Sequence, residues 1–465
     1  MKRFFVAGAI LLASLSALAQ DPVEMGTTPY IPAAEEEVRA NVAEWQDYKF
    51  GMFIHWGAYS QLGIIESWSL VPDDISWMQK PRKGMPYYEY VKMYEGLKKT
   101  FNPTSFDPAK WAAAAKYAGM KYMVFTTKHH DGFSMFDTAQ NDYKITSKEC
   151  PFHVNPKANV AKEIFNAFRS EGIATGAYFS IVDWHNNDFW WDVMPPKNRY
   201  INYEVSKHPE KWARYQDYLA AQLGELTSGE YGKLNLLWFD LCKCAPDGSA
   251  PVDWPRLASV IRGNQPSAMM VARGENSIYE NYRTPEQLIP DQALDYPWES
   301  CITMTMSWAW RPNLEYKPVS EMLGILVKVV SRGGNLLLNV GPRPDGTLEE
   351  TAYERLKAIG DWMQVNSEAI YGTKAYAPYQ DGDVYYTTKD GYVYAFYIPS
   401  EQGGSLPSVL SFKGVKPSGA SSVQLLGTKK TLRWQADGEG IKVVIPESVR
   451  KNLPCEHIWC LKIKI

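Results

Sequence analysis

The stretch FGMFIHWGAYS, Phe50 to Ser60, decides how the chain is read. Its first five residues have the unbroken hydrophobicity of a strand buried on both faces, the mark of a parallel sheet covered by helices. They run directly into His55, Trp56 and Gly57. A polar ring at the end of so apolar a strand is costly to bury unless something there engages it.

The pattern repeats in YMVFTTKHH, ATGAYFSIVDW, NLLWFD, AMMVARGE and NLLLNVGP. Helical patterns alternate with these runs. DPAKWAAAAKYAG carries Asp107 as N-cap, Pro108 in the first turn and Gly119 as a stop, and NVAKEIFNAFRSEG reads the same way from Asn159 to Gly172. Further helices are expected from His208 to Leu226, Asp253 to Arg262, Val319 to Ser331 and Leu348 to Asn366. Strand and helix alternating at this length, with no G-x-G-x-x-G fingerprint, predict an α/β fold: a (β/α)8-like (TIM) barrel over residues 39–370. From residue 371 to 465 the texture becomes short β-rich runs around polar turns such as Lys389-Asp390-Gly391, which predicts a C-terminal antiparallel β-sandwich.

Residues 1–19, with Lys2 and Arg3 ahead of an apolar run and Ala17-Leu18-Ala19 at its end, read as a cleavable signal peptide followed by a leader over 20–38. The expected localisation is therefore export, periplasmic or secreted. With 45% hydrophobic and 22% charged residues and a net charge of -3, nothing marks a nucleic-acid or membrane-surface partner. Six cysteines in 465 residues make no disulfide framework; they read as packing residues, with a Cys455–Cys460 bridge left open. The 17 Trp and 29 Tyr fill a core but also suit a site that stacks on sugar faces.

In a barrel, chemistry gathers at the C-terminal ends of the strands. Those ends carry His55-Trp56, His129-His130-Asp131, Asp183-Trp184-His185, Asp240 and Arg273, and four of the seven histidines fall there. A metal hydrolase is disfavoured: the first strand lacks H-x-H, and the adjacent His129 and His130 should point to opposite sides of an extended chain. No G-x-S-x-G elbow is present for serine chemistry. Two carboxylates working on a polyol gripped by histidines and aromatics is the reading that remains.

FGMFIHWGAYS, TTKHHDGFSMFDT, YFSIVDWH, LLWFD, RTPEQLIP, WESCITMTMSW and LLLNVGPRPDG, in this order between about residues 42 and 365, resemble the successive signatures of the α-L-fucosidases of glycoside hydrolase family twenty-nine. The resemblance implies an exo-acting, retaining enzyme that needs no metal or cofactor and releases a terminal α-L-fucosyl residue from a fucosylated oligosaccharide or glycoconjugate. It matches Asp240 to the nucleophile. His55, His129, His130, Tyr178, Trp238 and Arg273 match the sugar site, as do Glu66 and Trp68, although Ser67 separates a pair that is adjacent in the family. Two glutamates compete for the acid/base: Glu286 in RTPEQ is preferred, and Glu299 in PWESC is assigned to the sugar pocket. After the nucleophile many members continue WFDG, where this chain has WFDLCKC. The alternatives are an α-L-galactosidase or a non-catalytic sugar-binding relative.

Overall fold

The computed structural model describes residues 28–72, 84–401, 403–417 and 422–465; residues 1–19, read above as a signal peptide, and residues 20–27 of the leader lie outside them. The apolar runs form parallel strands β1 (Phe50–Ile54), β2 (Tyr122–Lys128), β3 (Ala174–Ser180), β4 (Leu236–Asp240), β5 (Met269–Ala272), β6 (Glu299–Thr303) and β7 (Asn335–Val340). They lie side by side in the order β5-β4-β3-β2-β1-β7-β6. Helices α1 (Glu36–Tyr48), α2 (Tyr87–Glu95), α3 (Pro108–Tyr117), α4 (Val160–Ser170), α5 (Pro209–Thr227), α6 (Trp254–Asn264), α7 (Val319–Ser331) and α8 (Glu350–Asn366) punctuate them. The signals read for α3 are real: the Asp107 side chain accepts from the Lys110 amide and Pro108 opens the helix.

The expected eighth strand is replaced by an irregular segment. Between β5 and β6 the chain from Tyr279 to Gln287 bonds to both neighbours: the Ala272 amide donates to Tyr279 and that of Asn281 to Met270, while the Glu299 amide donates to Arg283 and that of Gln287 to Cys301. These bridges close the ring. Pro285 has no amide to donate and Gln287 adopts a left-handed φ of 52°, so a continuous ladder cannot form here. β6 itself gives no apolar run in the sequence, because ESCIT mixes Glu299, Ser300 and Thr303 with its apolar residues.

Phe53, Val124, Tyr178, Trp238, Val271, Tyr282, Cys301 and Leu337 fill the barrel, and Val38, Val42 and Trp45 of α1 join the same core. Asn41 donates to the carbonyls of Asn235 and Ser267, residues at the N-terminal ends of strands, and Asn335 donates to that of Trp45. The bottom of the barrel is thereby plugged, which leaves the C-terminal rim for a ligand.

The C-terminal unit contains β8 (Lys374–Asp381), β9 (Val384–Lys389), β10 (Tyr392–Tyr397), β11 (Val409–Lys413), β12 (Val423–Leu425), β13 (Arg433–Asp437), β14 (Gly440–Val444) and β15 (Trp459–Lys464). A five-stranded and a three-stranded antiparallel sheet enclose a core of their own. Phe396 and Ile458 belong instead to the core of the barrel, and Trp362 of α8 donates to the Ile458 carbonyl at 2.8 Å, so the two units are braced together. All six cysteines are free thiols, which leaves Cys455 and Cys460 unbridged.

Asp183, at a strand end in the sequence, does not face the rim. Its Oδ2 lies 3.3 Å from Lys128 Nζ, both side chains are buried, and Gln222 and the Tyr218 hydroxyl complete the cluster. Breaking such a pair strands an ammonium in an apolar setting. Asp183→Ala should destabilise the barrel by about 3–5 kcal/mol, read from the denaturant midpoint. Replacing both partners, Lys128→Met with Asp183→Leu, should recover most of the loss.

Candidate active site

β1 delivers His55 to the rim and β7 delivers Asn339 beside it, since Phe53 and Asn339 are register partners. The Nδ1 of His55 lies 2.6 Å from Asn339 Oδ1. On β2 the register slips between Thr126 and Lys128, and the strand ends before the histidine dyad. His129 and His130 sit in a turn closed by the Gly132 amide on the His129 carbonyl. Their rings are therefore not on opposite sides, as extended backbone would require: the centroids are 4.0 Å apart. Ser67 lies 2.6 Å from the Nδ1 of His129, and Ser180 lies 2.8 Å from that of His130. Burial drives all three imidazoles toward the neutral form, with His55 pushed down to about 4 and His130 to about 3.

Three aromatic contacts knit this wall to the carboxylates. His129 stacks on Tyr178 at 5.6 Å, Tyr178 stacks on Trp238 at 5.5 Å, and Trp238 carries the Arg273 guanidinium 4.6 Å above its ring. The inward periodicity of β4 aims Trp238 and Asp240 into the barrel, with Asp240 at the rim. Arg273 then donates to both acids, through one terminal nitrogen to Asp240 Oδ1 and through the other to Glu286 Oε2, each at 2.8 Å. Its Nε donates to Thr284.

The two acids respond in opposite directions. Burial pushes Asp240 up, but Arg273, the Tyr178 hydroxyl at 2.8 Å and the Leu241 amide at 2.9 Å outweigh it, and the carboxyl ends below its usual range. His130, held neutral, adds positive charge only in strong acid. For Glu286 burial and the neighbouring Asp240 charge prevail over Arg273 and a hydrogen bond from Trp308, and the carboxyl is raised. One carboxylate and one carboxylic acid side by side can divide nucleophilic and proton-transfer work.

Glu299 is not a pocket residue. It opens β6 at the end remote from the rim, is wholly buried, and accepts from the Tyr122 hydroxyl at 2.6 Å and the Trp238 indole at 3.1 Å. Burial lifts it to about 7. Its place is beneath the site, holding Trp238. Trp68 does reach the wall, its ring 5.1 Å from that of His130. Glu66 accepts from the Ala309 amide at 2.7 Å and is lifted to about 8 by burial, with the Glu286 charge adding to the effect. Glu66 therefore borders the acid/base side, and Trp68 the His130 wall. His185 does not join the other three histidines; it pairs with Glu95 at 2.7 Å.

Asn339, Ser180, Ser67 and Thr284 are not among the residues that the sequence assigns to the site. Trp308 packs 5.0 Å from the His55 ring and hydrogen-bonds Glu286. A polar residue two positions before Gly341 in an apolar strand was the available signal for Asn339. Among the described residues no group of three or more His, Cys, Asp and Glu side chains is arranged to hold a metal ion.

Comparison with known proteins gives the same picture from outside. The α-L-fucosidase family model matches residues 17–368, and the model of the α-L-fucosidase C-terminal domain matches residues 378–464. The plasma α-L-fucosidase of Pongo abelii is 29% identical over 94% of this chain and 93% of its own length. Among solved structures, α-L-fucosidase isoenzyme 1 from Paenibacillus thiaminolyticus superimposes with a TM-score of 0.75 at 30% identity, covering 92% of this chain and 99% of that one. The Thermotoga maritima α-fucosidase in complex with fucose gives 0.72 at 26% identity, over 94% and 100%. With both family models matched in order along one chain, and a rim that carries two carboxylates tuned in opposite directions, this protein belongs to the α-L-fucosidase family.

Proposed function

We propose that the chain is an exo-acting, retaining α-L-fucosidase that removes terminal α-L-fucosyl residues from glycans, with Asp240 as nucleophile and Glu286 as acid/base. The observation that carries the reading is the single guanidinium of Arg273 shared by the two carboxyls. Retaining pairs stand ~5–5.5 Å apart and inverting pairs ~6.5–9.5 Å. Adjacent nitrogens of one planar fork favour the closer spacing.

In the first step Asp240 attacks the anomeric carbon as Glu286 gives its proton to the departing glycosidic oxygen. The products are a glycosyl ester and the free aglycone alcohol. In the second step Glu286, now ionised, takes a proton from water, and the resulting hydroxide equivalent displaces Asp240 from the anomeric carbon. His55, His129 and His130 supply neutral ring nitrogens for the sugar hydroxyls. The barrel is filled below Trp238 and plugged by α1, so a glycan can enter only from the rim, which supports exo action. Fucose is the sugar held by the Thermotoga maritima neighbour. Export through the N-terminal signal is part of the proposal: protein recovered from the periplasm or medium should begin at Gln20, read by N-terminal sequencing.

Asp240→Ala should abolish turnover of nitrophenyl α-L-fucoside while preserving sugar binding; the α-L-galactoside should turn over more slowly in the parent protein. Glu286→Ala should lose ~10²–10⁴-fold in kcat/KM and regain rate with azide, whereas Glu299→Gln should show no azide rescue. The pH profile tests the electrostatics. Activity requires Asp240 ionised and Glu286 protonated, so it lies between a depressed and a raised titration. Removing the cation in Arg273→Met disfavours both anions and raises both titrations, so the acidic limb of kcat/KM should move to higher pH.

A further inference from the structure

Two of the pocket histidines are held by groups whose own hydrogen-bonding roles are already committed. The Nδ2 of Asn339 donates to the Trp308 carbonyl at 2.7 Å, which turns its Oδ1 toward His55. An amide oxygen only accepts, so the proton on this 2.6 Å contact belongs to His55 Nδ1. Ser180 spends its single proton on the Val182 carbonyl at 2.6 Å. Toward His130, 2.8 Å away, its oxygen can only accept, so His130 also carries its proton on Nδ1.

A neutral imidazole has one N–H, and both rings are kept neutral by burial. Each Nε2 is then a bare lone pair. For His130 that atom is buried, has no hydrogen-bond partner, and lies 3.8 Å from Asp240 Oδ2. Two acceptors facing each other at that distance leave a position that only a donor can fill.

We propose that Asn339 and Ser180 are positioning residues that hold His55 and His130 as Nδ1–H tautomers, so that the pocket grips its ligand with Nε2 acceptors beside Asp240. Ligand hydroxyls must then donate to these rings rather than accept from them. That consequence rests on the glycosidase reading; the tautomers themselves do not.

The test is a two-bond ¹H–¹⁵N correlation spectrum of the full-length protein labelled at histidine nitrogen, recorded without sugar. Signals are assigned by their loss in His55→Gln and His130→Gln. Both rings should show a protonated Nδ1 and a bare Nε2 at neutral pH. An Nε2–H tautomer at either ring overturns the assignment for that ring, whatever the enzyme's substrate proves to be. Ser180→Ala should turn the His130 pattern into a tautomer mixture and Ser180→Thr should restore it; an unchanged pattern in the alanine variant removes Ser180 from the role.

A kinetic arm reads Asn339. The charged and titratable groups facing His55 are Asp240, Arg273, His129, His130 and Tyr178. Asn339→Asp adds an anion against Nδ1, which raises the titration of His55 and replaces the Nε2 lone pair with a proton as pH falls. KM for nitrophenyl α-L-fucoside should then rise about tenfold on the acid side, the worth of one hydrogen bond, while the parent KM stays level. A KM in the variant that follows the parent profile overturns the role of Asn339.

Discussion

Arg273 is the interaction on which the rest of the site depends. It follows β5 directly, while Thr284 and Glu286, two of its partners, lie on the irregular segment that closes the barrel. The same side chain therefore fastens the ring at its weakest junction and sets the charge of the reaction centre. A buried cation facing two carboxyls leaves an excess of one negative charge if both acids ionise, and desolvation makes that excess expensive. The cost falls on the acid with fewer other donors. Asp240 has the Tyr178 hydroxyl and the Leu241 amide besides Arg273, and it stays an anion; Glu286, with Trp308, is the one raised.

The layers beneath serve this division of labour. Trp238 lies under the guanidinium and cannot tilt away, because Glu299 accepts its indole N–H and Glu299 is itself held by Tyr122. A carboxyl buried at the base of a barrel is a costly anchor as an anion, and burial lifts its titration to about 7. On the opposite wall the Lys128–Asp183 pair sits behind the turn that presents the histidine dyad. A Cβ on Gly132 would come within 2.1 Å of Asp183 Oδ1, so the turn can pack this closely over the ion pair only with glycine at that position.

What the sequence revealed and what it hid follow from one physical distinction. Apolar strands ending in polar residues announce themselves, because burial on both faces forbids polarity until the rim; His55, Asp240 and Arg273 were found that way. The signal fails where polarity lies elsewhere on a strand. Glu299 begins β6 rather than ending it, and a motif gives no depth, so in sequence a floor residue reads as a wall residue. The dyad escapes the strand rule because it follows a register slip that no residue type marks. Second partners such as Asn339, 284 residues from His55, are fixed by strand order, which local pattern does not encode.

The two acids share a backbone device that departs from easy local conformation. The residue after each one has a left-handed φ, 48° at Leu241 and 52° at Gln287, and neither is glycine. Such a conformation costs about 1–3 kcal/mol in a residue with a Cβ and persists only where neighbours enforce it. Here they do. The Leu241 amide turns back to Asp240 Oδ1, and the Gln287 amide bonds to Cys301 while its side chain donates to Thr303. A chain that reverses immediately after the carboxyl cannot continue the strand past it, which leaves the acid at the rim. In WFDLCKC the reversal is made by a leucine where many family members have glycine, so the strain is retained together with a half-buried apolar side chain directly beside the nucleophile. The reversal that ends β4 at Asp240 thus also sets Leu241, half-buried and packed against the core, next to the nucleophile.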